Sequence, residues 1–321
     1  MVRLRTEFGL PEGASEGDRL AFLSIGNFDG VHRGHRRIVD RMVGAAREHG
    51  GESVLVTFDP HPRCILDPDN CPPRLTTLDE KAALLDTAGL DRLVVLEFTR
   101  ELSRWTADQF LERLSQGFNL RRMVVGHDFA LGHRRAGDIP FLRSWGATRG
   151  FDVEVVDAQR DGGEVFSSSL VRAALADGDL EAANRVLGHP YFVDSRVEHG
   201  ENIGTGLGFP TANLAITPGK CLPPRGIYAT WVRVRGAWHR AATYVGYRPT
   251  FGGTKLTVEP HLLDFSGDIY HERVRVAFVA RLRDDVRYPT PEALSAQMRL
   301  DVEETRRRLG PGREPAELSS R

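Results

Sequence analysis

The chain has 321 residues, a formal net charge of −1, 27% charged residues and 40% hydrophobic ones. That length suggests two domains, each able to bury a core. The near-zero charge gives no support to general nucleic-acid binding, and no apolar stretch approaches the roughly 20 residues that span a bilayer, so neither nucleic acid nor membrane is an expected partner.

Met1–Glu7 carries charge but no apolar run or small-residue cleavage site after it, so no secretory signal is expected. Leu20–Ile25 reads as a buried strand ended by Gly26, and residues 33–49 as a helix closed by Gly50-Gly51. The alternation continues with a strand at 53–58, a helix at 79–88, a strand at 92–96 and a helix at 106–116. A strand at 122–125, a helix at 139–148 and a strand at 152–156 complete it. Continuous apolar strands between helices predict a parallel sheet covered on both faces, a Rossmann-like α/β domain. Cys64, Cys71 and Cys221 form an odd, scattered set, which argues against a disulfide framework and for a reducing, cytoplasmic compartment. Cys64 and Cys71 with His61 fit no usual zinc spacing.

Residues 167–187 read as helical, broken at Asp177-Gly178-Asp179, and Gly188-His189-Pro190 as a hinge. Beyond it the texture changes to short alternating strands at 227–234, 242–245, 256–259 and 273–279, which predict an antiparallel barrel or sandwich. A last helix at 290–309 ends in Arg306-Arg307-Arg308, which suit a helix C-terminus. The expected organisation is α/β plus all-β: one domain over 1–187, a second over 188–310, and a disordered tail over 311–321.

The strongest chemical signal, Ser24-Ile25-Gly26-Asn27-Phe28-Asp29-Gly30-Val31-His32-Arg33-Gly34-His35, sits where the first strand hands over to the first helix. Open α/β sheets bind ligands there. His32 and His35, three apart, share a face if the helix begins near them. Arg33, Arg36 and Arg37 crowd the helix N-terminus, where positive charge is disfavoured unless a polyanion is bound. Singly, each of these would be an ordinary surface residue.

This string resembles the HxGH-type nucleotidylyltransferases, and at full length the adenylyltransferase half of the bacterial bifunctional riboflavin kinase/FAD synthetases. The resemblance continues through Val56–Arg63, Val124–Gly132 and Phe166–Arg172. It implies that Gly26, Asn27, Phe28, Asp29, Gly30, Ser168, Ser169 and Arg172 bind ATP, and that Asp59, His61, Pro62, Asp128 and Phe129 bind FMN. A phosphate oxygen of FMN would attack the α-phosphorus of ATP and release pyrophosphate, with His32 and His35 stabilising the charge. Asp29 would either orient a histidine or serve the metal. Leu131 stands where the family often has an aromatic residue.

The second string, Gly204-Thr205-Gly206-Leu207-Gly208-Phe209-Pro210-Thr211-Ala212-Asn213-Leu214, is a glycine-rich loop leading into a Pro-fixed turn. Its amides suit phosphate, and Thr211 and Asn213 are hard oxygen donors suited to Mg²⁺. No Gly-Lys-Ser/Thr follows, so it is not a Walker A loop. Gly-Phe-Pro-Thr-Ala-Asn resembles the riboflavin kinases, as do Gly226–Ala229, Gly246–Phe251 and Val258–Phe265 after it. This resemblance implies that Gly204, Gly206, Gly208, Pro210 and Arg248 contact ATP or flavin, that Thr211 and Asn213 hold Mg²⁺–ATP, and that Glu259 is the base for the ribityl hydroxyl of riboflavin. Ser195 and His271 replace usual glycines, and Thr205 a frequent arginine, which bears on the flap and on kinase efficiency.

The implied enzyme phosphorylates riboflavin to FMN and adenylylates FMN to FAD. Two alternatives are an adenylyltransferase with a weak kinase module, and a flavin-binding regulatory protein. A generic cytidylyltransferase would leave the second domain unexplained. The oligomeric state, a homo-oligomer included, is left open.

Overall fold

The computed structural model describes residues 4–13, 19–199, 206, 208–250, 253–310 and 314–315. Two compact units form: Met1–Pro72 with Lys81–Phe166, and Pro73–Glu80 with Ser167–Arg321.

The first unit carries strands β1 (Arg5–Phe8), β2 (Ala21–Ile25), β3 (Glu52–Asp59), β4 (Arg92–Glu97), β5 (Leu120–Gly126) and β6 (Asp152–Val156). They form one parallel sheet in the order β1-β4-β3-β2-β5-β6. The order reverses at β2, so the carboxyl end of β2 opens a ligand crevice of the kind these sheets use. Ala21, Leu23 and Ile25 of β2 face a cluster built with Phe110, Leu111 and Leu114 of α4 (Ala107–Gly117) and Leu142 and Trp145 of α5 (Ile139–Arg149). Helix α1 (Arg33–Glu48) packs on β2, β3 and β5 through Val39, Met42 and Val43, at the spacing of an apolar helix stripe.

Among the elements of this unit that were not foreseen are β1 and a short helix. β1 is an edge strand with mostly exposed residues, held by its ladder and by the Arg92–Glu7 pair at 2.5 Å. Helix α2 (Pro62–Leu66) is a single turn after β3. The expectation of unpaired cysteines is corrected: Cys64 in α2 and Cys71, which ends a 3-10 turn over Pro68–Asn70, are joined as a disulfide. Two consecutive tight turns bring the pair together, which an odd cysteine count cannot reveal. Cys221 is a buried thiol outside that disulfide.

Helix α3 (Leu78–Thr87) spans the boundary between units, with Glu80 in the second and Lys81 in the first. A small hairpin, β7 (Arg160–Asp161) with β8 (Glu164–Val165), precedes the second unit's helices α6 (Ser168–Asp177) and α7 (Leu180–Leu187). The predicted helical break is the left-handed Gly178 followed by the Asp179 cap.

The second unit's strands are β9 (Tyr191–Glu198), β10 (Asn213–Leu214), β11 (Gly226–Val234), β12 (Ala237–Thr250), β13 (Gly253–Leu262) and β14 (Arg273–Arg283). They pair antiparallel in the order β10-β9-β14-β11-β12-β13. The amide of Ala212 donates to Pro260 O at 3.0 Å, which nearly closes the barrel. Pro260 is tolerated because β13 is an end strand whose carbonyl, not its missing N–H, makes that link. β12 is far longer than the predicted 242–245, because only its centre alternates cleanly. Tyr228, Val232, Val245, Val258 and Phe278 fill the core, and α8 (Pro291–Arg308) packs on β11, β12 and β14. The disordered-tail expectation falls, apart from residues 314–315, outside the described residues.

In this unit a buried ion pair holds the segment 73–80. Lys220 Nζ donates to Glu80 Oε2 at 2.6 Å and to Leu75 O at 2.6 Å, while Glu80 Oε1 accepts the amide of Asp194 at 2.8 Å.

Candidate active sites

In the first unit β2 ends at Ile25, and Gly26 N still donates to Val56 O of β3 at 3.0 Å. The chain then turns through two non-glycine residues with left-handed backbone, Phe28 (φ 46°) and Val31 (φ 42°), on either side of buried Asp29. A β-branched valine there is a strained position, of the kind found at functional turns. The turn delivers His32 as the N-cap of α1, its Nδ1 accepting the amide of His35 at 3.4 Å.

The two imidazoles stack with centroids 3.6 Å apart, and Phe28 lies 4.7 Å from His35. Gly34 lets them meet: a Cβ there would lie 3.1 Å from His32 Cε1 and 3.2 Å from its Nδ1. His35 Nδ1 is buried without a hydrogen-bond partner among the described residues. Burial first, then His32 and then Lys81, hold the His35 pKa well below its ordinary 6.5. Both histidines sit at a helix N-terminus with Arg33, whose guanidinium lies 5.9 Å above the Phe166 ring. A neutral imidazole there offers one N–H to a phosphate oxygen, and the helix terminus favours the anion.

The other predicted residues of this site are partly gathered. Asp59 ends β3, Pro62 begins α2, and His61 caps α2 while lying 3.2 Å from Asn27 Nδ2 through Nε2. Asp128 and Phe129 follow β5, the other neighbour of β2. Phe129 packs on the core cluster, and Asp128 O accepts from Arg135 at 2.7 Å. Ser168, Ser169 and Arg172 stand at the start of α6, in the second unit. Ser167 caps that helix and Arg172 Nε donates to Pro73 O at 2.7 Å. Leu131 is buried and pairs with Gly137 through the backbone. Thr57 and Lys81 were not singled out from sequence: Lys81 Nζ donates to Asn27 O at 2.7 Å and to Thr57 Oγ1 at 3.0 Å. The signal in the sequence was slight: Lys81 sits between Glu80 and Ala82 in a predicted helix.

In the second unit the Ala212–Pro260 bond sets Thr211 and Asn213 beside Glu259. Glu259 faces Tyr244 across the β12–β13 ladder, is buried, and accepts from Thr257 Oγ1 at 3.0 Å. Asn213 Oδ1 is buried without a hydrogen-bond partner among the described residues, a lone acceptor that fits a hard cation. Gly208 has φ 84° and Gly206 is exposed. Gly204 and Thr205 lie outside the described residues, as does the Arg248 side chain. Ser195 donates from Oγ to Ala215 O at 2.6 Å, tying down the chain after β10. His271 has φ 64°, the conformation a glycine adopts freely.

Next to Pro210 opens a pocket of about 370 Å³ that sequence reasoning missed. Phe209, Leu263, Phe265 and Val302 supply apolar walls, and Asp264 and Arg306 a charged side, paired at 2.7 Å. His261 Nδ1 lies 2.8 Å from Pro210 O, and burial lowers its pKa. Pocket size and mixed lining suit a flat, mostly apolar ligand.

The family described as FAD synthetase matches residues 15–170, and that described as riboflavin kinase matches residues 187–309. A bifunctional riboflavin kinase/FMN adenylyltransferase of Pseudomonas fluorescens is 39% identical over 90% of this chain and 93% of that protein. Its namesake from Escherichia coli K12 is 34% identical over 94% and 96%. A crystal structure titled as a macrolide-efflux protein from Streptococcus pneumoniae superposes with a TM-score of 0.84 at 28% identity, covering 94% of this chain and 98% of that one. Among the described residues no helix is long and apolar enough to cross a membrane.

Proposed function

The chain belongs to the family of bifunctional riboflavin kinases/FMN adenylyltransferases, and we propose that it runs the two reactions at the two sites described above. Functional domains of 1–187 and 188–310 follow from this reading. The observation that carries it is that each unit holds a cluster of its own: stacked His32 and His35 in one, and in the other Thr211 and Asn213 on either side of Ala212, whose amide links to Pro260, the neighbour of Glu259.

In the kinase reaction the riboflavin ring occupies the pocket between Phe209, Phe265 and Val302. Buried Glu259 orients the ribityl hydroxyl and takes its proton as that oxygen bonds to the γ-phosphorus of ATP and ADP departs. Thr211 and the lone Oδ1 of Asn213 hold Mg²⁺, which neutralises phosphate charge when bound. The amides of Gly206 and Gly208, with Pro210, are assigned to the nucleotide path, and the assignments of Gly204 and the Arg248 side chain fall outside the described residues.

In the adenylyl transfer an FMN phosphate oxygen bonds to the α-phosphorus of ATP as its bond to pyrophosphate breaks. His32 and His35 donate N–H to the triphosphate, and the α1 N-terminus adds its dipole. Gly26, Asn27, Phe28, Asp29 and Gly30 shape the nucleotide turn, and Asp59, His61, Pro62, Asp128 and Phe129 hold FMN; Ser168, Ser169 and Arg172, assigned to phosphate by the family resemblance, belong to the second unit. Dependence on ATP makes the cytoplasm the proposed compartment.

The test is to incubate the purified protein with riboflavin, ATP and Mg²⁺ and separate the flavins over time. FMN appearing before FAD supports both assignments. FAD formed from added FMN, with no product from riboflavin, would remove the kinase assignment.

A further inference from the structure

Lys81 is only 7% exposed. An ammonium so far from water is costly unless nearby oxygens replace its hydration. Those oxygens are informative. Lys81 Nζ lies 2.7 Å from Asn27 O and 3.0 Å from Thr57 Oγ1, and the fully buried Thr57 hydroxyl itself donates to Asn27 O at 3.2 Å. One carbonyl therefore receives both a charged and a neutral donor.

That carbonyl belongs to the Asn27–Phe28 peptide, which opens the turn to His32. A peptide is planar and trans, so fixing the direction of its C=O fixes the N–H of the next residue in the opposite sense. The next residue is Phe28, held at φ 46° with its ring 4.7 Å from that of His35. Such a conformation persists only where surrounding contacts over-determine it.

We propose that Lys81, acting with Thr57, is a positioning residue for adenylyl transfer: it locks the Asn27–Phe28 peptide and thereby the alignment of the Phe28 amide and the His35 ring with the nucleotide phosphates. The inference rests on adenylyl transfer occurring at the His32–His35 turn. Lys81 touches no reacting atom in this scheme. Its contribution is the fixed geometry of groups that do.

The test compares full-length Lys81→Met, Lys81→Arg and Thr57→Val for FAD formation from added FMN, with riboflavin phosphorylation in the same preparations reporting folding. Misplacing a positioned group by about 1 Å costs on the order of a hundredfold. Lys81→Met is expected to lower kcat for FAD formation roughly ten- to a hundredfold while the KM for FMN stays within about twofold. Lys81→Arg restores much of the loss, Thr57→Val loses less, and the double variant loses no more than Lys81→Met alone, because both groups act on one carbonyl. A kcat near the parent's in Lys81→Met, or losses that multiply in the double variant, would overturn the proposal. If Lys81→Met fails to fold, Thr57→Val decides: a lowered kcat with unchanged KM supports the proposal, and a parent-like kcat overturns it. A parent-like rate in His35→Asn would instead sink the site assignment, and the inference with it.

Discussion

The amide of Ala212 donates to the carbonyl of Pro260 at 3.0 Å, and this one bond joins the two segments that carry the proposed kinase residues. Ala212 is flanked by Thr211 and Asn213, and Pro260 follows Glu259. Positions 46 to 48 residues apart in sequence thus come together where the barrel nearly closes. Glu259→Gln keeps the shape and removes the base. Riboflavin phosphorylation is expected to fall on the order of 10²–10⁴-fold while added FMN is still converted to FAD, measured by chromatography of the flavins.

The pocket beside Pro210 is testable by filling it. Val302→Trp, on the α8 face that lines the pocket, is expected to raise the KM for riboflavin at least roughly tenfold. FAD formation from FMN should keep its parental rate, because Val302 lines the pocket beside Pro210 and is none of the residues proposed for adenylyl transfer. Steady-state kinetics of both reactions on one preparation checks this.

Gly34 is the residue that lets the two imidazoles stack. Gly34→Ala pushes its Cβ against the His32 ring, so the ring must shift by a few tenths of an ångström. A loss of about tenfold in FAD formation is expected, with riboflavin phosphorylation unchanged.

His35 gives a pH signature. Its folded-state pKa lies well below 6.5, chiefly through burial, so the unfolded chain takes up the proton first as pH falls. Its contribution to stability is complete above pH 6.5 and is lost as pH falls towards and through the folded-state value, at about 1.4 kcal/mol per pH unit. Thermal unfolding of the first unit is expected to weaken more steeply between pH 6.5 and 5 in the parent than in His35→Gln.

The Lys220–Glu80 pair predicts a stability effect of the opposite kind. Both side chains are buried, so Lys220→Met strands a charge and is expected to cost about 3–5 kcal/mol in chemical unfolding of the second unit. Lys220→Met with Glu80→Gln should recover part of that loss.

How much of this was legible in the sequence depends on how local the signals are. The β2 to α1 segment was read nearly to the residue, because an apolar run interrupted only by Ser24, then Gly26 and the histidine pair, all lie within the sixteen residues Leu20–His35. β1 was invisible because an edge strand with charged residues carries no buried alternation. The pocket was missed because Phe209, Asp264 and Val302 come from a loop, a turn after β13 and a helix, and only folding brings them together. Lys81 and Thr57 were passed over for the same reason. The Cys64–Cys71 bond depends on two tight turns rather than on cysteine number.

The assignment of Pro73–Glu80 to the second unit has a practical consequence for anyone who wishes to separate the two activities genetically. A fragment starting at residue 167 or 188 would contain every strand of the barrel and every proposed kinase residue. It would also lack Glu80, leaving the Lys220 ammonium without its carboxylate and the Asp194 amide without its acceptor. Such a half-gene is expected to yield an unstable product, whereas a circular permutant that keeps residues 73–80 joined to the barrel should not.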